Sequence, residues 1–131
     1  MIEVIIVEPG KEARTAMIGD DLKSMQSVVE GMIEEYMPFE DDVAVVCNDE
    51  GKIMGMPLNR AVMDEDGQIM DIICGPFFIC YAPPFEERFQ SLPDNLREKY
   101  LEKFRYPERF SYVNGHIKPV TFAPEKNDLA R

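Results

Sequence analysis

One histidine, three cysteines and only 14 lysines and arginines among 131 residues leave this sequence short of the groups that most often carry chemistry or hold nucleic acid. Proton-transfer catalysis draws most often on His. The one present, His116, follows Asn114-Gly115 and reads as a turn residue. Zinc sites take four soft ligands at characteristic spacing. Cys47, Cys74 and Cys80 are odd in number, form no Cys-x-x-Cys pair and lie in apolar runs, a pattern of buried free thiols. Cys74 beside Gly75 is the best-placed nucleophile, but no partner base accompanies it. Asp64-Glu65-Asp66-Gly67 lacks the alternating oxygen ligands of a calcium loop, and Glu8-Pro9-Gly10-Lys11 lacks the glycines and following hydroxyl of a phosphate loop. No catalytic set, metal or cofactor is therefore expected. No apolar run approaches the ~20 residues that span a bilayer, and the chain runs straight into Met1-Ile2-Glu3-Val4-Ile5-Ile6-Val7. A cytoplasmic protein without membrane contact is expected.

Acid is what the sequence has in quantity. Asp and Glu total 25, for a net charge of −11. Such a field repels phosphate, because nucleic acid binding requires Lys and Arg to displace condensed counterions. Direct DNA or RNA binding is thereby disfavoured. The densest basic stretch, 97–109, alternates with Glu98, Glu102 and Glu108 and reads as an ion-paired helix surface. A 45% hydrophobic content at this length suits one core. The expectation is a single domain over 1–123 with a frayed tail over 124–131.

The local pattern is rich in short β segments. Residues 1–7 form a Val- and Ile-rich strand and 13–18 return as its hairpin partner across the Glu8-Pro9-Gly10-Lys11 turn. Asp20 or Asp21 caps a helix whose stripe is Leu22, Met25, Val29 and Met32, and Gly31 ends it in the left-handed conformation. Residues 32–37 and 43–47 read as strands. Lys52-Ile53-Met54 is expected to pair back on the latter across Asn48-Asp49-Glu50-Gly51. Gly and Pro in 55–61 argue for a loop or one helical turn. Asp64 to Gly67 makes a turn before a strand at 69–74, and Gly75-Pro76 separates it from a strand at 77–81. Ser91 and Pro93 start a second helix with Leu96, Tyr100 and Phe104 on one stripe, and a last hairpin turns at Asn114-Gly115. The fold class is α+β: a mostly antiparallel sheet of short strands with two amphipathic helices packed on it, both on one face.

Two sets of residues have a functional pattern. Asn59 and Arg60 are polar groups within an otherwise apolar stretch, and Arg holds carboxylate or phosphate with two parallel bonds. With Phe77, Phe78 and Tyr81 to stack on a base, they make a candidate site for an anionic nucleotide or metabolite. The second set is acidic: Glu40, Asp41, Asp42, Asp49, Glu50, Asp64, Glu65 and Asp66, with Glu34 and Glu35 adding to the same charge, which a basic protein partner could read if they share a face.

Val7-Glu8-Pro9-Gly10-Lys11, Cys47-Asn48-Asp49-Glu50-Gly51-Lys52, Asn59-Arg60-Ala61, and Asp71-Ile72-Ile73-Cys74-Gly75 followed by Phe77-Phe78 together resemble a small domain family of unknown function. That family is carried by conjugative elements and phages of Gram-positive gut bacteria. The resemblance covers about 2–104, while 106–131 departs from it. It implies a genomic setting and no catalytic residue. Together with the charge, it leads to the expectation of a non-enzymatic acidic binding protein of a mobile element, as a counter-defence inhibitor or DNA mimic. The alternative is a binder of a small anionic ligand.

Overall fold

The structure, a computed structural model, describes residues 1–124. The tail expected to fray lies outside the described residues apart from Pro124. Among the described residues are nine strands and two helices. In chain order these are β1 (Ile2–Val7), β2 (Arg14–Ile18), α1 (Leu22–Val29), β3 (Ile33–Tyr36), β4 (Val43–Asn48) and β5 (Leu58–Met63). After them come β6 (Ile69–Cys74), β7 (Phe77–Tyr81), α2 (Asp94–Lys103), β8 (Glu108–Val113) and β9 (His116–Thr121).

Five strands form one antiparallel sheet in the order β2-β1-β7-β4-β3. Its inner strands are apolar at nearly every position rather than alternately, as expected of strands covered on both faces. One face carries Val4, Ile6, Val46, Phe78 and Cys80 and is closed by Met25 and Val29 of α1. The opposite face carries Ile5, Val7, Val45, Phe77 and Ile79 and is closed by Leu92, Tyr100 and Phe104. Val62 and Ile73 of the β5–β6 ribbon complete that second core. Each fully buried Val, Ile or Phe contributes roughly 1.5–3 kcal/mol. The helices thus lie on opposite faces, not on one as expected, because a sheet this apolar needs cover on both sides.

Local chemistry sets the element ends. Asp21 caps α1 by accepting from the Ser24 amide (3.0 Å) and hydroxyl (2.7 Å), bonds that hold its carboxyl below the usual range. The helix closes on Glu30, which takes the left-handed conformation (φ 63°) that the sequence suggested for Gly31. Met32 follows the helix and is exposed. α2 begins after Pro93 with no side-chain cap, and the hydroxyl of Ser91 instead accepts from the Glu3 amide (2.8 Å), tying the segment before the helix to β1.

Two further expectations change. Lys52-Ile53-Met54 is part of a compact turn, closed by the Met54 amide on the Glu50 carbonyl (2.8 Å) and the Met56 amide on that of Gly51 (3.0 Å). Both flanks of β4 are already taken, by β3 and β7, so no edge remains for a returning strand. The loop expected at 55–61 is instead largely β5, which pairs with β6 across the Asp64–Gly67 turn.

At the other end, β8 and β9 meet at Asn114 (φ 52°) and Gly115 (φ 81°), the positive values of a tight two-residue hairpin turn. Such a turn makes Val113 and His116 a hydrogen-bonded pair, so the missing N–H of Pro119, three residues on and opposite Phe110, faces outward. Pro is tolerated there and blunts the free edge of β9.

The 51–56 turn also fixes a close approach. A methyl group added at Gly51 would sit 2.6 Å from the Cys74 carbonyl oxygen, a backbone atom that cannot swing aside. Gly51→Ala is expected to cost about 1–3 kcal/mol of stability by overpacking. A urea unfolding midpoint unchanged from the parent protein would contradict this placement.

Candidate functional site

The residues expected to meet a ligand are in the interior. A register shift between Leu58 and Arg60 leaves Asn59 outside the ladder, a bulge that breaks the alternation of a regular strand. Both Asn59 and Arg60 are 0% exposed. Asn59 Nδ2 donates to the carbonyls of Val7 (2.9 Å) and Gly75 (2.8 Å), while its Oδ1 accepts from Arg60 Nη1 (2.9 Å). The rest of the guanidinium donates to the carbonyls of Lys11 (2.7 Å), Phe104 (3.2 Å) and Glu8 (3.4 Å). Burial lowers the Arg60 pKa to about 10, with Glu108 the one acid opposing the shift, so the charge persists at neutral pH. Glu108 is itself pushed up by burial and accepts from the Ala61 amide (2.9 Å).

These donors are spent on buried main chain, and both side chains are fully enclosed. Phe77 and Phe78 are also 0% exposed and belong to the two cores, leaving only Tyr81 half-buried. The anion-site expectation fails for a physical reason. The same donors that would grip a phosphate grip carbonyls at the ends of β1, β6 and α2.

The acidic residues behave differently, and six of the eight gather at two clefts. Asp49 and Glu50 line the first, about 330 Å³, together with Glu34, Tyr36, Lys52 and Asp71. Glu40, Asp41, Asp64 and Glu65 line the second, about 260 Å³, over Phe39 and Met70. Both open on the side of the sheet that carries β5–β6 and α2, since Tyr36, Phe39 and Tyr100 pack on that core. Asp42 and Asp66 are in neither cleft; Asp66 belongs to the β5–β6 turn, where its amide donates to Asp64 Oδ1 (2.9 Å).

Each cleft holds one carboxylate bound to a lysine. Lys52 donates to Asp71, which raises the lysine's pKa. In the second cleft Lys99 (2.6 Å) and the Tyr100 hydroxyl (2.7 Å) both donate to Asp41 and draw its pKa down. Among the described residues, Glu34, Glu40, Asp49, Glu50 and Glu65 make no ion pair. Unpaired carboxylates in a concave wall attract cations more than the same groups on a convex surface. The Coulomb energy of a pair at 4 Å rises from about 1 kcal/mol in bulk water to about 4 kcal/mol at an effective dielectric near 20.

Tyr36, Lys52 and Asp71 were missing from the acidic set as read from sequence, while Glu34 was part of that charge. Tyr36 could have been found with Glu34 from their two-residue spacing on one strand, which places them on one face. Lys52 and Asp71 carry no local signal, because the ribbon that brings them together was not foreseen. Cys47 and Cys74 also line the first cleft, but burial raises both thiols, Cys47 to about 11. A nucleophile needs the opposite shift.

Removing the clasp is expected to be costly. Arg60→Met leaves the carbonyls of Lys11 and Phe104 without their donor and should lower stability by about 3 kcal/mol or more. Arg60→Lys should recover little, since one ammonium cannot reach carbonyls spread around a planar fork. Chemical unfolding of both variants checks this, and a fully stable Arg60→Lys would contradict the clasp.

No curated protein and no solved structure matches this chain. A family model, described as a domain of unknown function (DUF3846), matches residues 2–105, which include both clefts and the Arg60 clasp but end before the β8–β9 hairpin. The chain belongs to this family of domains of unknown function.

Proposed function

We propose that the protein is a non-enzymatic binding protein that takes a basic protein partner against its acidic clefts. The observation that carries this is the gathering of unpaired carboxylates, Glu34, Asp49 and Glu50 in one cleft and Glu40 and Glu65 in the other, on one side of the sheet. Charge that served solvation alone has no need of concave walls with an apolar floor. A Lys or Arg side chain does, because its methylene stem packs on Phe39 or Tyr36 while its charged head meets carboxylate.

The resemblance to domains of conjugative elements and phages supports a setting in which such a protein acts as a regulator or as a counter-defence inhibitor. In its sharpest form the partner is an enzyme whose basic surface otherwise holds nucleic acid, and the clefts present carboxylates where phosphates would lie. A cytoplasmic location belongs to the same proposal, since such enzymes are met there.

Fluorescently labelled oligolysine serves as a probe. Its affinity should fall steeply between low and physiological salt. Asp49→Lys combined with Glu50→Lys should weaken it more than Glu86→Lys combined with Glu87→Lys, which changes net charge equally but outside both clefts. Equal losses from the two pairs would show that net charge alone is sensed.

A further inference from the structure

The β8–β9 hairpin is a projecting arm whose chemistry is opposite to that of the body. Residues 1–105 carry 10 Lys and Arg against 22 Asp and Glu, whereas 106–124 carry Arg109 and Lys118 against Glu108 alone. Cross-strand register places Arg109, Ser111 and Val113 on one face with Val120, Lys118 and His116. The Arg109 guanidinium sits 4.3 Å from the centre of the Phe122 ring, and among the described residues neither Arg109 nor Lys118 has an acidic partner. Val120, 51% exposed, and Val113, 46%, share that face, while Tyr112, 78% exposed, stands on the other face near the tip. A strand rise of about 3.4 Å per residue puts the tip roughly 17 Å from the base at Glu108. An isolated two-stranded ribbon is marginally stable unless it packs on something more.

We infer that two copies of this chain exchange these arms, each hairpin lying in the Glu40–Glu65 cleft of the other copy. The inference rests on the acidic-cleft reading and names the occupant of that cleft. Charge agrees, with side chains of the arm entering a cleft of about 260 Å³. Glu40, Asp41, Asp64 and Glu65 less Lys99 and Lys103 leave an excess of two negative charges over an apolar floor, opposite the two positive charges on one face of the arm. Position agrees as well. Met63 and Lys103 line both this cleft and the seam where the hairpin base meets the body at Glu108 and Pro119. Arm and cleft are therefore neighbours on one surface, and a single two-fold axis beside them satisfies both contacts at once and closes the assembly at a dimer.

Sedimentation velocity of the full chain tests this at about 0.15 M salt, where a Debye length near 8 Å damps the repulsion between bodies and leaves contact pairs. A concentration-dependent dimer is expected. Arg109→Glu with Lys118→Glu should weaken it by about tenfold or more, and Glu40→Lys with Glu65→Lys should do the same. The decisive arm mixes the two variants, because a reversed arm then meets a reversed cleft while the unaltered arm meets the unaltered cleft. Recovery of the dimer in the mixture is the result expected. Tyr112→Ala, at an exposed position, should weaken the dimer without shifting the unfolding midpoint. A monomer at all concentrations, or a dimer indifferent to every substitution, overturns the exchange. The oligolysine comparison, read at Asp49 and Glu50 in the other cleft, can succeed or fail independently of it.

Discussion

The guanidinium of Arg60 and the amide of Asn59 tie the β5–β6 ribbon to the five-stranded sheet and to α2, to which no ladder connects it. Between them they bind the carbonyls of Val7, Glu8 and Lys11 at the β1–β2 turn, Gly75 at the β6–β7 turn and Phe104 at the end of α2. A buried charge is tolerable only when its donors are all occupied. Here five carbonyls from three main-chain segments are brought to the pair, and those of Lys11 and Phe104 would lose their donor without the guanidinium. The β5 bulge is what turns both side chains inward from adjacent positions.

From that clasp follows the placement of the β5–β6 ribbon, and from the ribbon follow the clefts. β6 supplies Asp71 to one and Met70 to the other, while the β5–β6 turn supplies Asp64 and Glu65. The 51–56 turn, fixed where Gly51 lies against the Cys74 carbonyl, presents Asp49, Glu50 and Lys52 opposite Asp71. α2 forms the far wall through Lys99 and Tyr100, whose bonds to Asp41 hold the β3–β4 connection in place. Acidic residues that are scattered in sequence therefore converge because one buried cation fixes the ribbon that gathers them.

Strands with uniform apolar character were legible directly. Residues 43–47, 69–74 and 77–81 were each found to within a residue or two, as were α1, α2 and the closing hairpin, because periodicity and turn residues act locally. β5 was not legible, since Asn59 and Arg60 inside an apolar stretch suggest a surface excursion and only a tertiary bulge makes them interior. The misplaced return strand at Lys52 has the same origin. Hairpin chemistry at Asn48 to Gly51 is genuine turn chemistry, but whether β4 has a free flank is decided by β7, some thirty residues later. The side on which each helix packs was illegible for a related reason, because an inner strand apolar at every position does not say which face a helix covers. Of the candidate sites, the acidic set was readable as composition but not as two clefts, and the polar pair was readable as special without its role being apparent.

Under the proposed function the acidic clefts, rather than net charge, are the binding surface. The most direct measurement follows the backbone amides by NMR during titration with oligolysine at low salt. Shifts concentrated at Glu34, Asp49, Glu50, Asp64 and Glu65, and fading as salt is added, are the predicted result. Shifts spread equally over Glu86, Glu87 and Glu98, on parts of the surface outside both clefts, would contradict it.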